Sequence, residues 1–369
     1  MNIKPKSNSL TVMKKQALFA AIGVAITTLA AGAADTGKTY KVFLYAGQSN
    51  AQGKAPIAIA EAQAEAPATK DLYQHLRKDG KWIVRDDVFF KYGPAKGPLK
   101  IGMGSYRFGS DHEFASMMGE RFEEPVVIVK SAFGGASLCQ SFRPPSAGLP
   151  GDEALQAQLA GAQARVKSIN ERDKKNDPLP TMDDIKKLYG EFYRQILADY
   201  KEVTETFEKE FPVLKGRTPE VAGFVWFQGW NDQYGGQDEY ATNMQHFIKD
   251  IRKDLGVPKM PFVIVAMGQN GSAPAAGAML TVREAQLAMN DVPEFKGNIK
   301  AFRSDLLVDK DAERLMTQKD PALRERDKEE CKKFAADDGY HYYGSPIWYM
   351  RIGRAAGEAM NELLKNQAK

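Results

Sequence analysis

Residues 41–53 read KVFLYAGQSNAQG, and the composition changes abruptly within these thirteen residues. The first half is apolar and β-prone up to Ala46, whereas the second half is small and polar. A change of this kind is typical of a buried strand that ends in a tight turn. The turn either only redirects the chain, or it holds the hydroxyl of Ser49 at the rim of a sheet, where a nucleophile would be needed. The rest of the sequence has to separate these two interpretations.

Five apolar runs rich in β-branched residues lie along the chain, at positions 42–45, 126–129, 221–226, 262–266 and 299–302. They alternate little between apolar and polar residues, as expected of parallel strands buried on both faces. Helical patterns separate them, at positions 111–122, 238–255, 280–290 and 346–364. The alternation predicts an α/β fold whose mainly parallel five-stranded sheet is covered by helices on both faces.

Two segments extend this minimal plan. Residues 82–93, WIVRDDVFFKYG, resemble a small hairpin at the surface. Residues 137–220 form a larger helical insertion, in which apolar residues recur at three- and four-residue steps from Ile185 to Phe207. Thr181 and Asp184 fit the N-terminal cap of that helix. We expect its apolar stripe to pack against the domain; a groove for a partner is the less favoured alternative.

The N-terminus has the composition of a leader. Four lysines and no acidic residue occur in residues 1–33, and an apolar run ends there in Ala31-Gly32-Ala33. This pattern predicts a signal peptide over 1–33, followed by one domain over 34–369 that is exported, periplasmic or secreted. A membrane anchor is disfavoured because the apolar run is rich in Ala and Thr and marginal against the ~20 residues that a span needs. We therefore expect no stable membrane association after cleavage.

Charge and cysteine content exclude further classes of protein. The full chain has a formal charge of +4, but without the four leader lysines 47 basic residues balance 47 acidic ones. A neutral mature chain offers no electrostatic attraction for nucleic acid. The two cysteines are far apart and the four histidines do not cluster, so a structural zinc site is not expected.

A histidine near the C-terminus has the setting of a catalytic base. In DDGYHYYG, residues 337–344, Asp338 precedes His341 by three positions, a spacing at which a carboxylate can reach and orient an imidazole. Asp337 competes for the same role. Such a pair is often only a solvated turn, but the other histidines have less suitable neighbours. His112, which begins a helix, is the one rival base.

Two further strand ends carry groups that could stabilise a negative charge. The run FVWFQGWND, residues 224–232, offers the side-chain amides of Gln228 and Asn231. The run VVIVKSAFGGASL, residues 126–138, offers a backbone N–H at Gly134 or Gly135. Each segment alone is equally consistent with an ordinary turn. Parallel strands, however, bring their carboxyl ends to one edge, so together these groups favour Ser49 as a residue placed for attack.

The four segments together resemble the SGNH (GDSL-like) hydrolase superfamily, and within it the sialate O-acetylesterase and carbohydrate esterase family 6 branch. GQSNAQG resembles the nucleophile block, SAFGGASL the second block, WFQGWND the third and DGYH the last. The resemblance implies Ser49 as nucleophile, His341 as base and Asp338 as its orienting acid. It also implies an oxyanion hole built from the N–H groups of Ser49 and of Gly134 or Gly135, with a side-chain amide.

The resemblance also implies a fold and a reaction. The fold would be a flavodoxin-like three-layer α/β/α sandwich without metal or organic cofactor, and the substrate an acetylated carbohydrate. In the third block Trp230 stands where the branch usually has Glu. This departure leaves open whether Gln228 or Asn231 is the oxyanion donor, and it makes Trp230 a candidate substrate-binding residue.

Two alternatives remain at this stage. One is a carbohydrate-binding protein on an inactivated esterase scaffold, for which Trp230 is the only motivation. The other is an SGNH hydrolase acting on a lipid or a thioester, disfavoured because the mature chain lacks an extended apolar surface segment. The sequence does not indicate the sugar, the acetylated hydroxyl or the oligomeric state. If the segments around Cys139 and Cys331 both border the site, a disulfide between these residues would brace it.

Overall fold

Each of the five predicted strands takes part in one central sheet. The computed structural model describes residues 39–104, 107–269 and 271–367, so the predicted signal peptide lies outside the described residues. In chain order the strands are β1 (Thr39–Gly47), β2 (Ala55–Pro56), β3 (Arg77–Lys78), β4 (Lys81–Trp82), β5 (Val88–Tyr92), β6 (Ala95–Pro98), β7 (Arg107–Phe108), β8 (Val126–Ala132), β9 (Thr218–Phe227), β10 (Phe262–Ala266) and β11 (Ile299–Arg303).

The central sheet has seven strands in the order β11-β10-β9-β1-β8-β5-β6. All neighbours pair in parallel except β5 and β6, which are antiparallel. After β1 the chain places β5, β6 and β8 on one side of it, with β8 next to β1, and then places β9, β10 and β11 on the other side. β1 therefore lies where the direction of sheet building reverses, the usual place of a ligand site in open α/β sheets.

The predicted α/β class is confirmed, but the sheet has two strands more than expected. The surface hairpin predicted over 82–93 is wrong in its placement. β5 pairs in parallel with β8 inside the sheet, and Val88, Phe89 and Phe90 are buried. The charged neighbours in the sequence concealed this strand, because Lys91 is itself buried against Asp199.

The α-helices account for the two covering layers and the connections. They are α1 (Ser49–Gln52), α2 (Ile57–Glu65), α3 (Ser110–Arg121), α4 (Asp152–Asp173), α5 (Met182–Leu188), α6 (Glu191–Glu210), α7 (Tyr240–Asp254), α8 (Gly277–Ala288), α9 (Lys310–Met316), α10 (Pro321–Arg326), α11 (Lys328–Cys331) and α12 (Pro346–Gln367). Short 3-10 turns cover Lys70–Leu72, Gln74–Leu76, Pro145–Ala147, Pro212–Leu214, Trp230–Tyr234, Met289–Asp291, Pro293–Phe295, Ser304–Leu307 and Gly339–Gly344. Among the described residues, none of the helices combines the length and apolar character required to cross a bilayer.

Alternate side chains of β1 enter opposite layers, as the two-residue period of a strand requires. Phe43 and Tyr45 pack in a core that also contains residues of α3 and α12. Leu44 and Ala46 pack in a second core with residues of α6, α7 and α8. The result is a three-layer α/β/α sandwich with β1 buried at its centre.

The predicted helical insertion consists of α4, α5 and α6. Thr181 and Asp184 form the predicted capping box at the start of α5. The apolar stripe does not lie on one helix, because Gly190, with φ of +69°, separates α5 from α6. In α6, Val203 and Phe207 pack against the sheet residues Tyr40 and Val42, so the stripe is core packing.

A close approach of two backbones shapes the end of β1. Gly47 has a φ of +155°, and a Cβ at this position would lie 2.1 Å from the carbonyl oxygen of Phe227, the last residue of β9. The following N–H, of Gln48, donates to the same oxygen at 3.2 Å. Only glycine lets β1 turn this tightly into α1.

We predict that Gly47→Ala lowers the free energy of unfolding by at least about 3 kcal/mol, because the clash involves backbone atoms that cannot rotate away. The matched control is Gly216→Ala. Gly216 also has a positive φ, +74°, but a Cβ there meets nothing within 4 Å. This control should lose only about 1 kcal/mol. Urea unfolding measures both changes; equal losses would contradict the contact with Phe227 as the cause.

Candidate active site

The hydroxyl of Ser49 meets the imidazole of His341. Ser49 is the first residue of α1, directly after the Gly47 turn, and its side chain is 8% exposed. Its Oγ lies 3.0 Å from His341 Nε2. The two residues come from opposite ends of the described chain, so the fold alone brings them together. A serine and a histidine at this distance can exchange a proton.

Asn50 ties the helix that carries Ser49 to the loop that carries His341. Its Nδ2 donates to the carbonyl oxygen of Tyr340 at 3.0 Å, and its Oδ1 accepts from the Tyr349 hydroxyl at 2.7 Å. Asn50 is 1% exposed, so neither bond competes strongly with water. Sequence reasoning missed this residue, although it stands next to the serine.

The His341 loop has an unusual backbone. Within the turn Gly339–Gly344, Tyr342 and Tyr343 both have a φ of +55°, a conformation that costs a bulky residue of order 1 kcal/mol or more. Burial compensates this cost. The Tyr342 side chain packs at a right angle on Trp348, and its hydroxyl lies 2.8 Å from Ser304 Oγ.

The carboxylate beside His341 belongs to Asp337, not to the predicted Asp338. Asp337 Oδ1 lies 3.1 Å from His341 Nδ1, although it is off the direction in which that nitrogen would donate, so no hydrogen bond forms. The turn explains the exchange. The backbone carbonyl of Asp338 accepts from the N–H groups of His341 and Tyr343, and the Asp338 side chain is exposed. A hydrogen bond to Asp338 raises the pKa of the exposed Tyr340 hydroxyl.

The rival base, His112, lies in another environment. It is buried near the start of α3, its ring 5.8 Å from that of Phe108. Burial lowers the pKa of His112, which favours the neutral form. Its interactions are those of a core residue, and the structure gives it no contact with Ser49.

Of the two predicted amide donors, Gln228 is already engaged. It is 2% exposed. Its Nε2 donates to the carbonyl of Ala136 at 3.0 Å and to Asp232 Oδ2 at 2.5 Å, while its Oε1 accepts from Tyr240. Both amide hydrogens are therefore used inside the protein, and Gln228 fastens the end of β9 to the loop after β8.

The side-chain NH₂ group of Asn231 is available to a ligand. Asn231 Oδ1 accepts from Gln48 Nε2 at 2.9 Å, and its Nδ2 has no acceptor in the part of the chain that the structure describes. Gln48 is held in turn, because its Oε1 accepts from the N–H of Gly229 at 3.0 Å. The residue before Ser49 thus fixes the orientation of Asn231, a link that the GQSN motif did not suggest.

The glycines after β8 present unpaired backbone. Gly134 and Gly135 form an exposed turn, and Gly135 has a φ of +73°. Neither their N–H groups nor that of Ser49 has an acceptor among the described residues. Together with Asn231, these groups could hold an oxygen that carries negative charge.

Two open cavities adjoin these groups. A cavity of about 720 Å³ is bordered by Gly339 and Tyr340 of the His341 loop and by Trp230. A second, of about 440 Å³, is bordered by Gly135 and Asn231. The insertion contributes to its lining through Ala154 and Gln158 of α4 and through Tyr189, which follows α5. The insertion therefore borders the cavity next to Asn231.

The predicted disulfide is absent. Cys139 and Cys331 are both free thiols. Cys139 Sγ lies 3.4 Å from Ser137 Oγ, and burial raises the pKa of its thiol to about 11. Cys331 ends the short α11, which packs near α9. The prediction rested on closeness in sequence to the site segments, which did not bring the two residues together.

Comparison with known proteins agrees with the sequence motifs. Residues 180–323 match the family model described as carbohydrate esterase, sialic acid-specific acetylesterase. The predicted resemblance to the sialate O-acetylesterase branch is confirmed. The matched region includes Gln228, Trp230 and Asn231 but neither Ser49 nor His341, so the roles of these two residues rest on their geometry.

The chain is also similar in part to individual known proteins. A probable carbohydrate esterase of Arabidopsis thaliana is 36% identical over 72 residues, which cover 19% of this chain and 26% of the plant protein. A solved structure of an A. thaliana protein aligns over 72% of this chain and 85% of its own, with a TM-score of 0.40 and 17% identity. A carbohydrate acetylesterase from Xanthomonas citri aligns over 88% and 56%, with a TM-score of 0.43 and 15% identity.

Proposed function

We propose that the protein is a serine esterase that removes O-acetyl groups from carbohydrate. The observation that carries this proposal is the 3.0 Å distance between Ser49 Oγ and His341 Nε2 at the topological switch point of the sheet. The family match over residues 180–323 supports ester hydrolysis as the reaction.

The proposed reaction has two halves. His341 Nε2 takes the proton of Ser49 while Oγ attacks the acetyl carbonyl. The tetrahedral intermediate collapses, the bond to the sugar oxygen breaks, and His341 returns the proton to the leaving alkoxide. Water then attacks the acetyl-serine with His341 again as base, and acetate leaves as the serine regains its proton. No cofactor is required.

We assign the orientation of His341 to Asp337. A carboxylate beside Nδ1 favours the tautomer that leaves Nε2 free to accept, and it stabilises the imidazolium formed during attack. Asp337 Oδ1 and His341 Nδ1 are 3.1 Å apart, but their alignment is not that of a hydrogen bond in this structure. Such bonds are often poorly aligned before substrate binds and tighten afterwards.

We assign the side-chain part of the oxyanion hole to Asn231. Its Nδ2 is available and Gln48 fixes the amide, whereas both hydrogens of Gln228 are used within the protein. A preorganised donor pays no reorganisation cost when charge develops. The N–H groups of Ser49 and of Gly134 or Gly135 complete the hole in this proposal.

The cavity next to Asn231 favours a polar substrate. It is lined by Ser137, Gln140, Gln158 and Glu239, a surface suited to hydroxyl groups rather than to an acyl chain. The lipid or thioester alternative is therefore less favoured. A protein that only binds carbohydrate is also less favoured, because the serine and the histidine are in contact.

We also propose that the protein is exported, to the periplasm or beyond the cell, and does not stay on the membrane. The composition of residues 1–33 supports this location. An acetylated glycan is the partner that we propose; the near-zero charge of the mature chain offers no attraction for nucleic acid.

We predict that Ser49→Ala and His341→Ala each lower kcat for 4-nitrophenyl acetate by about 10⁴-fold or more, because each removes a group that forms or breaks a bond. Circular dichroism should show both variants folded. Acetate release from a panel of acetylated glycans by the natural protein tests the substrate class. Near-normal turnover by either folded variant would refute the assignment.

The two neighbouring carboxylates give a second prediction. Asp337→Asn should lower kcat by about 10²–10⁴-fold, because an amide favours the wrong tautomer of His341. Asp338→Asn is the matched control and should stay within about threefold of the natural protein, since the exposed Asp338 side chain contacts the Tyr340 hydroxyl rather than His341. A larger loss from Asp338→Asn than from Asp337→Asn would restore the original assignment.

A third prediction separates the two amides. Asn231→Ala should lower kcat by about 10²–10³-fold with little change in KM, the signature of a lost oxyanion donor. Gln228→Ala should instead lower the free energy of unfolding by about 1–3 kcal/mol, because it leaves the buried hydrogen-bond partners of Gln228 unsatisfied. Steady-state kinetics and urea unfolding measure both. A normal kcat in folded Asn231→Ala would exclude Asn231 as donor.

A further inference from the structure

Three aromatic rings form a row beside the Ser49–His341 pair. Trp230 is the middle one, with ring centroids 5.8 Å from Tyr340 and 6.5 Å from Tyr234. Tyr340 in turn lies with its ring 4.4 Å from that of His341. We call Tyr340, Trp230 and Tyr234 the aromatic strip.

The aromatic strip is unusually open to solvent. Tyr234 is 71% exposed, Tyr340 is 40% exposed and Trp230 is half-buried. Large aromatic rings stabilise a protein mainly by being buried, so a row of exposed ones contributes little to folding. A contiguous exposed apolar surface beside a reactive pair instead indicates a place where a ligand lies.

Two rings of the strip come from one packed turn. Trp230 and Tyr234 lie at the two ends of the 3-10 turn after β9, and Gln233 Nε2 donates to the Trp230 carbonyl at 2.9 Å within it. Gly229, before the turn, has a φ of +147°, and a Cβ there would lie 2.6 Å from Met267 Sδ. The same turn carries Asn231, so Trp230, Tyr234 and the proposed oxyanion donor share one backbone segment.

Each end of the strip borders a cavity that has polar groups in its lining. Tyr340 and Trp230 line the cavity of about 720 Å³, to which Gln269, Lys310 and Glu313 contribute polar groups. Tyr234 lines the cavity of about 440 Å³, to which Gln140 and Gln158 contribute. Apolar ring faces flanked by hydrogen-bonding groups match the two kinds of surface of a sugar, its C–H faces and its hydroxyl rim.

We propose that the aromatic strip is a binding platform for an oligosaccharide chain, which runs from one cavity to the other while one acetylated residue faces Ser49. This inference rests on the proposed function and deepens it, because it selects polymeric over monomeric acetylated carbohydrate. The sugar that leaves must be close to His341, which returns its proton. Tyr340 provides the ring next to His341, and Tyr234 provides a contact for a more distant sugar.

The test compares substrates of different length. The probes are chemically O-acetylated xylohexaose, O-acetylated xylose and 4-nitrophenyl acetate. We expect Trp230→Ala and Tyr234→Ala each to lower the ratio of kcat/KM for the hexasaccharide to that for the aryl ester about tenfold. For Tyr234→Ala the corresponding ratio for acetylated xylose should stay within about twofold. Tyr234→Phe, which keeps the ring, is the matched control and should retain the hexasaccharide ratio.

Unchanged ratios in both alanine variants would overturn the platform, and equal losses on xylose and on the hexasaccharide would overturn its extension to several sugars. Titration calorimetry of the acetylated hexasaccharide on Ser49→Ala separates binding from chemistry. In that background Tyr234→Ala should weaken binding about tenfold. This binding measurement is informative even if the natural protein releases no acetate, a result that would refute the proposed function instead. Equal affinities of the hexasaccharide for Ser49→Ala with and without Tyr234→Ala would refute the platform.

Discussion

The candidate site depends on the contact between the backbone of Gly47 and the carbonyl of Phe227. Because no side chain separates them, β1 turns directly over the end of β9 and begins α1 at Ser49. The same turn places Gln48 within reach of both Gly229 and Asn231. One close approach of two parallel strands therefore positions the proposed nucleophile and orients the proposed oxyanion donor. A Cβ at Gly47 would separate Ser49 from His341 and Asn231 from Gln48.

The second half of the site is held by buried polar contacts rather than by strands. Asn50 bonds to the His341 loop, and the strained backbone at Tyr342 is maintained by packing around Trp348. Beneath α1, the buried Lys130 donates to the carbonyl of Gln52 and to Asp111. Burial lowers the pKa of Lys130, which its ion pair with Asp111 opposes. Lys130 and Asp111 thus fasten the short helix α1, although burying both charges has a desolvation cost.

Sequence patterns predicted what depends on local periodicity and on chemistry at strand ends: the sheet, its helices and the meeting of Ser49 with His341. They failed where a tertiary contact decides. Spacing could not distinguish Asp337 from Asp338, because the turn uses the Asp338 carbonyl and leaves its side chain exposed. The sequence predicts a surface hairpin in place of β5, because a lysine such as Lys91 is normally exposed, whereas here it is buried beside Asp199. The two amides after β9 looked equivalent, and only the partners of Gln228 separate them.

Covalent labelling reports the serine reactivity that the contact between Ser49 and His341 should create. A fluorophosphonate phosphonylates a serine only when a base activates it. After reaction with the folded protein, peptide mass spectrometry should find the label on Ser49, and His341→Ala should remove it. A label on a different serine, or labelling of Ser49 at the same rate without His341, would contradict the account.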